Sequence, residues 1–320
     1  MGEKPNIIFI TSDQQRADCY GFAGRNIRTP HLDELAYSGT RFNSCITPNL
    51  VCQPSRASIL TGQLPFTHGV CDNGIDLKSE VAEHGFAEQL NKVGYKTSFI
   101  GKAHFATSST FAPTGTPECK HSSEHFGPDW YGPYMGFKHV ELMTLGHWYK
   151  EKGPTLPPGG QHFERFVFDE AGGPEIFDIW HKPAFKGHGA AQTWHSSMPV
   201  ALHSSTWCGD RAIALLNNQK ENEPFCSWIS FPDPHHPFDC PIPWSTMYNI
   251  DEVDLPKEGK KDLNARPWWH KASLESEPNL ADPQLKFFRA KLSRSEDQSE
   301  IQLREMTANY FGMISLIDHN

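Results

Sequence analysis

The sequence predicts an α/β fold in which a mostly parallel sheet is sandwiched between helices. Short apolar runs that favour strands alternate with segments of helical periodicity, and this alternation is typical of consecutive βαβ units. The 320 residues include 25 glycines and 25 prolines, which indicates many ordered loops rather than a helical bundle. A chain of this length can bury a sizeable core, and its length suggests one large or two modest domains.

The first two predicted elements have the clearest boundaries. Residues 6–10 form an apolar, β-branched run, which we expect to be a central parallel strand buried on both faces. Thr29 and Pro30 have the pattern of a helix N-cap followed by proline at the first helical position, and Gly39 ends that helix.

The remaining elements follow from the spacing of apolar residues and from glycines at element ends. They are a strand at 41–46, a helix at 54–60 that stops near Gly62, a helix marked by Phe86, Leu90 and Val93 that closes at Gly94, a strand at 95–100, a helix at 210–217, a strand at 225–231 and a helix at about 299–317. The last helix carries apolar residues from Leu303 to Ile317 on a single face, which predicts that this face is buried.

Two stretches, at about 106–200 and 240–297, show little periodicity and are interpreted as loop-rich insertions over the sheet edge. Loops in such places commonly select the substrate. The insertions contain several tryptophans, including Trp130, Trp148 and Trp180. These rings could stack on a sugar or aryl group, but packing of the loops against the core explains them better.

Composition excludes several classes of protein. The formal net charge of −9 argues against a nucleic acid or an anionic membrane as partner. No apolar run approaches the roughly 20 residues that span a bilayer, and the absence of a secretory leader in this sequence predicts a cytoplasmic location. The eight cysteines include no C-x-x-C pair, so we expect most of them to be small buried hydrophobes rather than zinc ligands or disulfide partners.

Polar side chains follow three of the predicted strands. Asp13 follows the first strand, Lys102 and His104 follow the strand at 95–100, and His235 follows the strand at 225–231. Because ligands of parallel sheets bind beyond the carboxyl ends of the strands, these positions are the candidate site. Individually they have plainer explanations: a turn residue for Asp13, a surface Lys-x-His pair, and an imidazole that packs a loop. Of the two adjacent histidines we favour His235 over His236.

A fourth candidate is Cys52, which lies just before a proline that can start a helix, Pro54. Free N–H groups at a helix N-terminus favour an anion, and Arg56 adds a cation. A nucleophile at this position would face a positively polarised pocket. A buried structural cysteine near a helix start would explain the pattern equally well.

The segment from Cys52 to Gly62 contains every fixed position of the pattern C-x-P-S-R-x-x-x-x-T-G. With this pattern the sequence resembles the formylglycine-dependent sulfatases of the alkaline-phosphatase-like superfamily. Further segments similar to that family occur in the same order, at 5–18, 29–33, 101–104 and 234–238, whereas the insertions are unmatched. The resemblance implies an α/β sandwich of the alkaline-phosphatase type, in which residues 1–320 would form an incomplete sulfatase catalytic domain.

The resemblance implies a sulfuric ester hydrolase acting on a small-molecule or carbohydrate sulfate ester. Cys52 would be oxidised to formylglycine by a formylglycine-generating or anaerobic sulfatase-maturating enzyme. The aldehyde hydrate would attack sulfur, expel the alcohol, and then release sulfate as the aldehyde re-forms.

The same resemblance implies roles for the other candidates. Asp13, Gln14 and residue 52 would hold one divalent cation, foremost Ca²⁺, with Mg²⁺ or Mn²⁺ as alternatives. Arg56 would hold the formylglycine and the metal loop in place. Lys102 and His235 would bind sulfate oxygens, while His104 would orient or deprotonate the diol. Asn73 would also contact sulfate, although turn chemistry explains the Asn73-Gly74 pair as well.

Two features depart from the family pattern. Gln14 stands where many relatives carry a second aspartate, which removes one negative charge and is shared with phosphonate monoester hydrolases. A phosphonate or phosphate ester hydrolase is therefore the second hypothesis.

Asp318-His319-Asn320 resembles the family's second metal pair, but it ends a helix instead of following a strand, so we reject it. On that basis we expect the second pair to be missing and this chain alone to be inactive, which leaves a non-enzymatic binding module as a third hypothesis.

Overall fold

The computed structural model describes residues 4–108, 114–119, 122–144, 161–173, 175–180, 182–255, 265–272, 281, 283, 286 and 298–320. Its centre is a four-stranded sheet of β1 (Ile7–Thr11), β2 (Lys96–Lys102), β3 (His139–Met143) and β4 (Phe225–Ser230). The strands lie in the order β1-β4-β2-β3, and every pairing is parallel. The predicted α/β class with a parallel sheet is confirmed.

The described part of the chain also contains ten α-helices. They are α1 (Pro30–Ser38), α2 (Cys52–Thr61), α3 (Pro65–His68), α4 (Ser79–Ala82), α5 (Phe86–Lys92), α6 (His162–Asp169), α7 (Glu175–Trp180), α8 (Ser204–Asn217), α9 (Trp268–Ala272) and α10 (Glu300–His319). The last of these begins with a capping box in which the Ser299 side chain accepts the Gln302 N–H.

Apolar clusters cover both faces of the central strands. Because successive side chains of a strand alternate between faces, Phe99 and Trp228 lie on one face with α2 and α5. Ile100 and Ile229 lie on the other face with α6 and α8. The sheet is therefore sandwiched between helices, as the sequence predicts.

The first strand was predicted to be central and buried on both faces, and this prediction was wrong. Among the described strands β1 lies at an edge of the sheet, and Ile8 and Ile10 are 49% and 56% exposed. Phe9, on the opposite face, packs against Trp228 and Phe86. An apolar run cannot reveal whether one face or both will be covered, because the covering residues come from distant parts of the chain.

Three other element predictions need correction. Residues 41–46 form no strand and are exposed; they have no partner strand in the described sheet. Strand β3 lies inside the stretch at about 106–200 that was predicted to be an insertion. It was not predicted because the polar Glu141 interrupts its apolar run. That carboxylate can be buried there because Arg211 pairs with it at 2.5 Å. Finally, α2 begins at Cys52 itself rather than after it.

The expectations for cysteine and tryptophan are largely confirmed. All eight cysteines lie in the described residues; no disulfide joins them, and five are buried. Trp180 is fully buried, and Trp130 packs against the core, whereas Trp148 lies outside the described residues. In the described part of the chain we find no helix with the length and apolarity needed to cross a membrane.

Candidate active site

The candidate site lies at the carboxyl edge of the sheet, where the segments that follow β1, β2 and β4 meet the start of α2. The backbone N–H of Asp13 donates to the carbonyl of Asp233 at 2.9 Å, which ties the segment after β1 to the loop that carries His235. The predicted positions therefore come together through the parallel topology.

Asp13 lies between two buried cations. Its Oδ2 is 2.5 Å from Lys102 Nζ and 3.5 Å from Arg56 Nη2. Burial by itself would raise the pKa of the Asp13 carboxyl group, but the charges of Lys102, Arg56 and His235 outweigh it and hold that pKa far below its usual range. The carboxylate is therefore ionised, and it compensates the buried positive charge of Lys102.

The thiol of Cys52 faces the same carboxylate. As the first residue of α2, Cys52 has its Sγ 3.7 Å from Asp13 Oδ1 and 3.9 Å from Oδ2. Burial, together with the negative charge of Asp13, raises the pKa of this thiol despite the opposing charges of Lys102 and Arg56. As a cysteine, residue 52 is thus a protonated thiol rather than a reactive thiolate.

Arg56 connects three elements of the site. Its Nη1 donates to the carbonyl of Lys102 at 2.5 Å and to Ser230 Oγ at 2.8 Å, so the guanidinium joins α2 to the ends of β2 and β4. Ser230 Oγ donates in turn to the same carbonyl at 2.7 Å. Sequence reasoning missed Ser230, whose only signal is its place at the end of an apolar strand.

The start of α2 is held by Asn73. The Asn73 Oδ1 accepts the N–H of Gln53 at 3.0 Å, and Gln53 Oε1 accepts the N–H of Gly74 at 2.5 Å. Since Val51 provides no side-chain cap, this exchange satisfies an N–H group that the helix leaves unpaired. Asn73 therefore stabilises the start of α2.

His104 lies beside the two cations in a buried environment. Burial, followed by the charges of Lys102 and Arg56, lowers the pKa of this imidazole to about 3, so the ring is neutral near pH 7. Its Nδ1 is buried and has no hydrogen-bond partner among the described residues. The backbone of His104 is left-handed, with φ of 50°.

The two adjacent histidines contact each other, and one of them contacts Gln14. His235 Nδ1 donates to the carbonyl of His236 at 2.5 Å, and the two rings stack with centroids 4.1 Å apart. His236 Nδ1 lies 3.0 Å from Gln14 Oε1, so His236 contacts the amide that was predicted to bind a metal. Sequence reasoning set His236 aside, although the doubled histidine was a visible signal.

A cation fits the space between Asp13, Cys52 and His235. Each of these residues offers one ligand atom, and the three atoms lie within 4.8 Å of one another. Oδ2 of Asp13 is the oxygen nearest to Lys102, whereas Oδ1 is closer to Cys52, which leaves Oδ1 to contact a cation. An oxygen in place of the Cys52 sulfur would make the donor set harder and better suited to Ca²⁺ or Mg²⁺. Gln14 as a further ligand remains a prediction.

Asp318 has a different role from the one its motif resembles. It lies near the end of α10, where its Oδ1 accepts the N–H of Leu32 at 2.8 Å and its Oδ2 accepts the N–H of His31 at 3.3 Å. These are free N–H groups at the start of α1, where the Thr29 side chain makes no cap. The carboxylate therefore stabilises a helix N-terminus, which agrees with its rejection as part of a metal pair.

The chain shares its α/β fold with a phosphonate monoester hydrolase of Agrobacterium radiobacter, with a TM-score of 0.65 at 22% identity, covering 99% of this chain and 57% of that one. The family model for sulfatases matches residues 5–320, and the chain therefore belongs to the sulfatase family.

Individual relatives agree with this assignment. The chain is 44% identical over 265 residues to an ulvan-active sulfatase of Formosa agariphila, covering 82% of this chain and 42% of that protein. It is 36% identical over 236 residues to an N-acetylglucosamine-6-O-sulfatase of Bacteroides thetaiotaomicron, covering 73% and 31% respectively. A phosphonate monoester hydrolase from Silicibacter pomeroyi shares the fold with a TM-score of 0.69 at 21% identity, covering 99% of this chain and 57% of that one. The chain thus spans about half the length, or less, of these relatives.

Proposed function

We propose that the protein hydrolyses sulfate monoesters through a formylglycine formed from Cys52. The observation that carries this proposal is the position of Cys52 Sγ, 3.7 Å from Asp13 Oδ1 at the start of α2. The carboxylate there is paired with Lys102 at 2.5 Å. A tetrahedral oxyanion at residue 52 would be favoured by the charges of Lys102 and Arg56 and by the N-terminus of α2, whereas the Asp13 carboxylate opposes it unless a cation held there neutralises that carboxylate.

In the proposed reaction, one hydroxyl oxygen of the hydrated aldehyde at residue 52 attacks sulfur. The bond between sulfur and the ester oxygen breaks, and the alcohol leaves with a proton. The second hydroxyl then loses its proton, the bond between carbon and the sulfate oxygen breaks, and the aldehyde re-forms as sulfate departs. The proton of the attacking hydroxyl leaves with the alcohol, and that of the second hydroxyl leaves with sulfate. His104, with its neutral ring, would orient the diol, while Lys102 and His235 would bind sulfate oxygens. A cation held by Asp13 would favour ionisation of the diol.

The proposed substrate class is a carbohydrate sulfate ester. Support comes from the relatives, since one is an ulvan-active sulfatase at 44% identity and another is an N-acetylglucosamine-6-O-sulfatase at 36% identity. Conversion of Cys52 requires a maturation enzyme as a partner, because oxidation of a thiol to an aldehyde needs an external oxidant.

The first test is the mass of the tryptic peptide of residues 42–56. Conversion of cysteine to formylglycine lowers its mass by about 18 Da, as the covalent formulae require. The peptide also contains Cys45, which serves as an internal control because it should keep its thiol. Fragment masses that assign the loss to residue 52 would support the proposal. An unmodified Cys52 in a protein that is fully active on a sulfate ester would contradict it.

The second test is hydrolysis of an aryl sulfate and of sulfated oligosaccharides by the full protein expressed with a maturation enzyme. We expect Cys52→Ala to abolish turnover and Cys71→Ala, at an exposed cysteine, to leave it unchanged. A chelator should remove the activity, and Ca²⁺ should restore it. Turnover that survives Cys52→Ala would overturn the assignment of the nucleophile.

The presence of Gln14 in place of a second aspartate favours a competing substrate class. By the resemblance stated above, phosphonate monoester hydrolases share this glutamine, and two solved structures with the same fold are phosphonate monoester hydrolases. A panel of aryl sulfate, phosphonate and phosphodiester, assayed with wild type and Gln14→Asp, separates the two classes. A dominant phosphonate rate in the wild type would replace sulfate as the proposed substrate.

A further inference from the structure

A buried carboxyl group without an assigned role lies next to the site. Glu118 is 1% exposed, and its Oε1 accepts the N–H of Phe105 at 2.9 Å, the N–H of Ala106 at 3.1 Å and the hydroxyl of Tyr134 at 2.8 Å. The other oxygen, Oε2, is buried and has no hydrogen-bond partner among the described residues. Two consecutive amides, three and four residues after Lys102, therefore converge on one carboxyl oxygen. Such a concave run of N–H groups is a general anion-binding arrangement of the backbone.

The conformation of His104 requires this support. Its φ of 50° lies in the left-handed region, which a residue with a Cβ occupies only when its surroundings impose it. The segment after His104 is also held at Thr107, because Asp76 Oδ1 accepts both the N–H and the hydroxyl of Thr107 at 2.7 Å. The carbonyl of Phe105 accepts the N–H of Leu77 at 2.9 Å. The segment is thus fixed by two carboxyl groups.

The His104 ring depends on its backbone for orientation. Its Nδ1 has no hydrogen-bond partner among the described residues, so that nitrogen does not anchor the imidazole. The ring nevertheless lies close enough to Lys102, Arg56 and Asp13 for their charges to act on it. Any change in the backbone of residues 104–106 would therefore be transmitted to the imidazole.

We propose that Glu118 is a positioning residue, whose carboxyl group sets the orientation of the His104 imidazole through the backbone N–H groups of Phe105 and Ala106, which follow it directly. Only the catalytic consequence of this inference rests on the proposed function. The structural link between Glu118 and His104 stands without it.

The chemistry of Glu118 suggests the variant that should rescue its role. Burial raises the pKa of this carboxyl group to about 7, although Tyr134 and the amides oppose the shift. The ionised and protonated forms both keep an oxygen that accepts from the amides. Glutamine keeps such an oxygen at the same reach, leucine fills the space without an acceptor, and aspartate falls one methylene short.

The chain offers a matched control in Glu164. This residue is 2% exposed, burial raises the pKa of its carboxyl group to about 7, and it accepts the N–H of Thr144 at 3.1 Å. Its hydrogen bond goes to the segment after β3 rather than to residues 104–106. Glu164→Leu therefore reports the cost of deleting a buried carboxyl group near the sheet edge.

The experiment measures the His104 ring resonances in ¹⁵N-histidine-labelled full protein, assigned with His104→Gln, together with kcat and KM for an aryl sulfate. For Glu118→Leu we expect shifted His104 resonances and a kcat lowered about 10- to 100-fold, with KM changed less than about threefold. Glu118→Gln should restore both to near wild type. Glu164→Leu should leave the His104 resonances in place. If Glu118→Leu fails to fold, Glu118→Asp should give the same resonance shift and a kcat loss of at least about fivefold.

Unchanged His104 resonances in both Glu118→Leu and Glu118→Asp would overturn the proposal, as would equal effects of Glu164→Leu and Glu118→Leu. If the full protein, with residue 52 converted, hydrolyses no ester at all, the proposed function fails, but the resonances still decide whether Glu118 positions His104.

Discussion

At the scale of single residues, the site balances opposite charges in a space that excludes most water. Asp13 is ionised because Lys102 and Arg56 compensate the cost of its burial, and Lys102 is buried because Asp13 compensates it in turn. Removing one partner of such a pair leaves an uncompensated buried charge, which is far more costly than the pair itself is stabilising.

Replacement of Lys102 by methionine is therefore expected to lower the free energy of unfolding by about 3 kcal/mol. The matched control is Lys138→Met, because the side chain of Lys138 is 59% exposed and only 3.8 Å from Glu88. That change should cost less than about 0.5 kcal/mol. Chemical denaturation in the presence of a chelator measures both. Equal midpoints for Lys102→Met and the wild type would contradict the buried-pair argument.

A pH dependence follows from His162. Its Nδ1 accepts the N–H of Leu142 at 2.9 Å, and its Nε2 donates to the carbonyl of Trp130 at 2.9 Å, so only the neutral ring satisfies both contacts. Burial lowers the pKa of this histidine to about 4, although the Trp130 carbonyl opposes the shift. Between about pH 6.5 and pH 4 the unfolded chain binds a proton at this position and the folded protein does not.

Stability should accordingly fall as the pH decreases through this window. We expect the free energy of unfolding to drop about 2 kcal/mol more in the wild type than in His162→Gln between about pH 7.5 and pH 5. Urea denaturation at several pH values measures the difference. The same substitution at exposed His84 serves as the control and should leave the slope unchanged. Identical slopes for wild type and His162→Gln would show that the ring is not held neutral.

At the scale of secondary-structure elements, the site depends on how closely β2 approaches β4 just before Lys102. Gly101 has φ of 104°, and a Cβ at this position would lie 2.0 Å from the carbonyl oxygen of Ser230. Only glycine can occupy this place without moving a strand. The same contact region holds Arg56, which donates to Ser230 Oγ and to the Lys102 carbonyl.

We expect Gly101→Ala to lower the free energy of unfolding by at least about 3 kcal/mol, because both the backbone conformation and the strand spacing must change. Gly127→Ala is the control, since a Cβ there would meet no heavy atom within 4 Å. It should change stability by less than about 1 kcal/mol. Thermal or chemical unfolding measures both variants, and a Gly101→Ala protein as stable as Gly127→Ala would refute the close approach.

At the scale of the whole molecule, β4 is the structural centre. It lies between β1 and β2, all six of its residues are buried, and its side chains enter the clusters on both faces of the sheet. Its amides should therefore exchange with solvent only through global or near-global unfolding. Hydrogen exchange followed by mass spectrometry should find residues 225–230 among the slowest segments and the four-residue helix α4 among the fastest. Exchange of β4 at the rate of α4 would contradict this order.

Much of the fold could be predicted from local patterns. The apolar runs that became β1, β2 and β4 were recognised, as were the helix start at Pro30 and the amphipathic α10, because burial and capping leave a periodic signal in the sequence. The strand β3 was missed, because Glu141 interrupts its apolar run, and the pairing of this carboxylate with Arg211, 70 residues further along the chain, is not visible in the local pattern. The edge position of β1 was also missed, since strand order is not a local property.

The candidate site, like the fold, could be predicted only in part from local patterns. The sequence alone determined which side chains follow strand ends or open a helix. The rule that parallel strands place their carboxyl ends together led to Asp13, Lys102, His104 and His235, and the helix start led to Cys52. Only the tertiary structure decided which atoms meet. Asp318 binds the start of α1, His236 contacts Gln14, and Glu118 supports residues 105 and 106. The reason is physical: periodicity and capping are set by neighbours along the chain, whereas a hydrogen bond between residues far apart in sequence depends on the packing of every element between them.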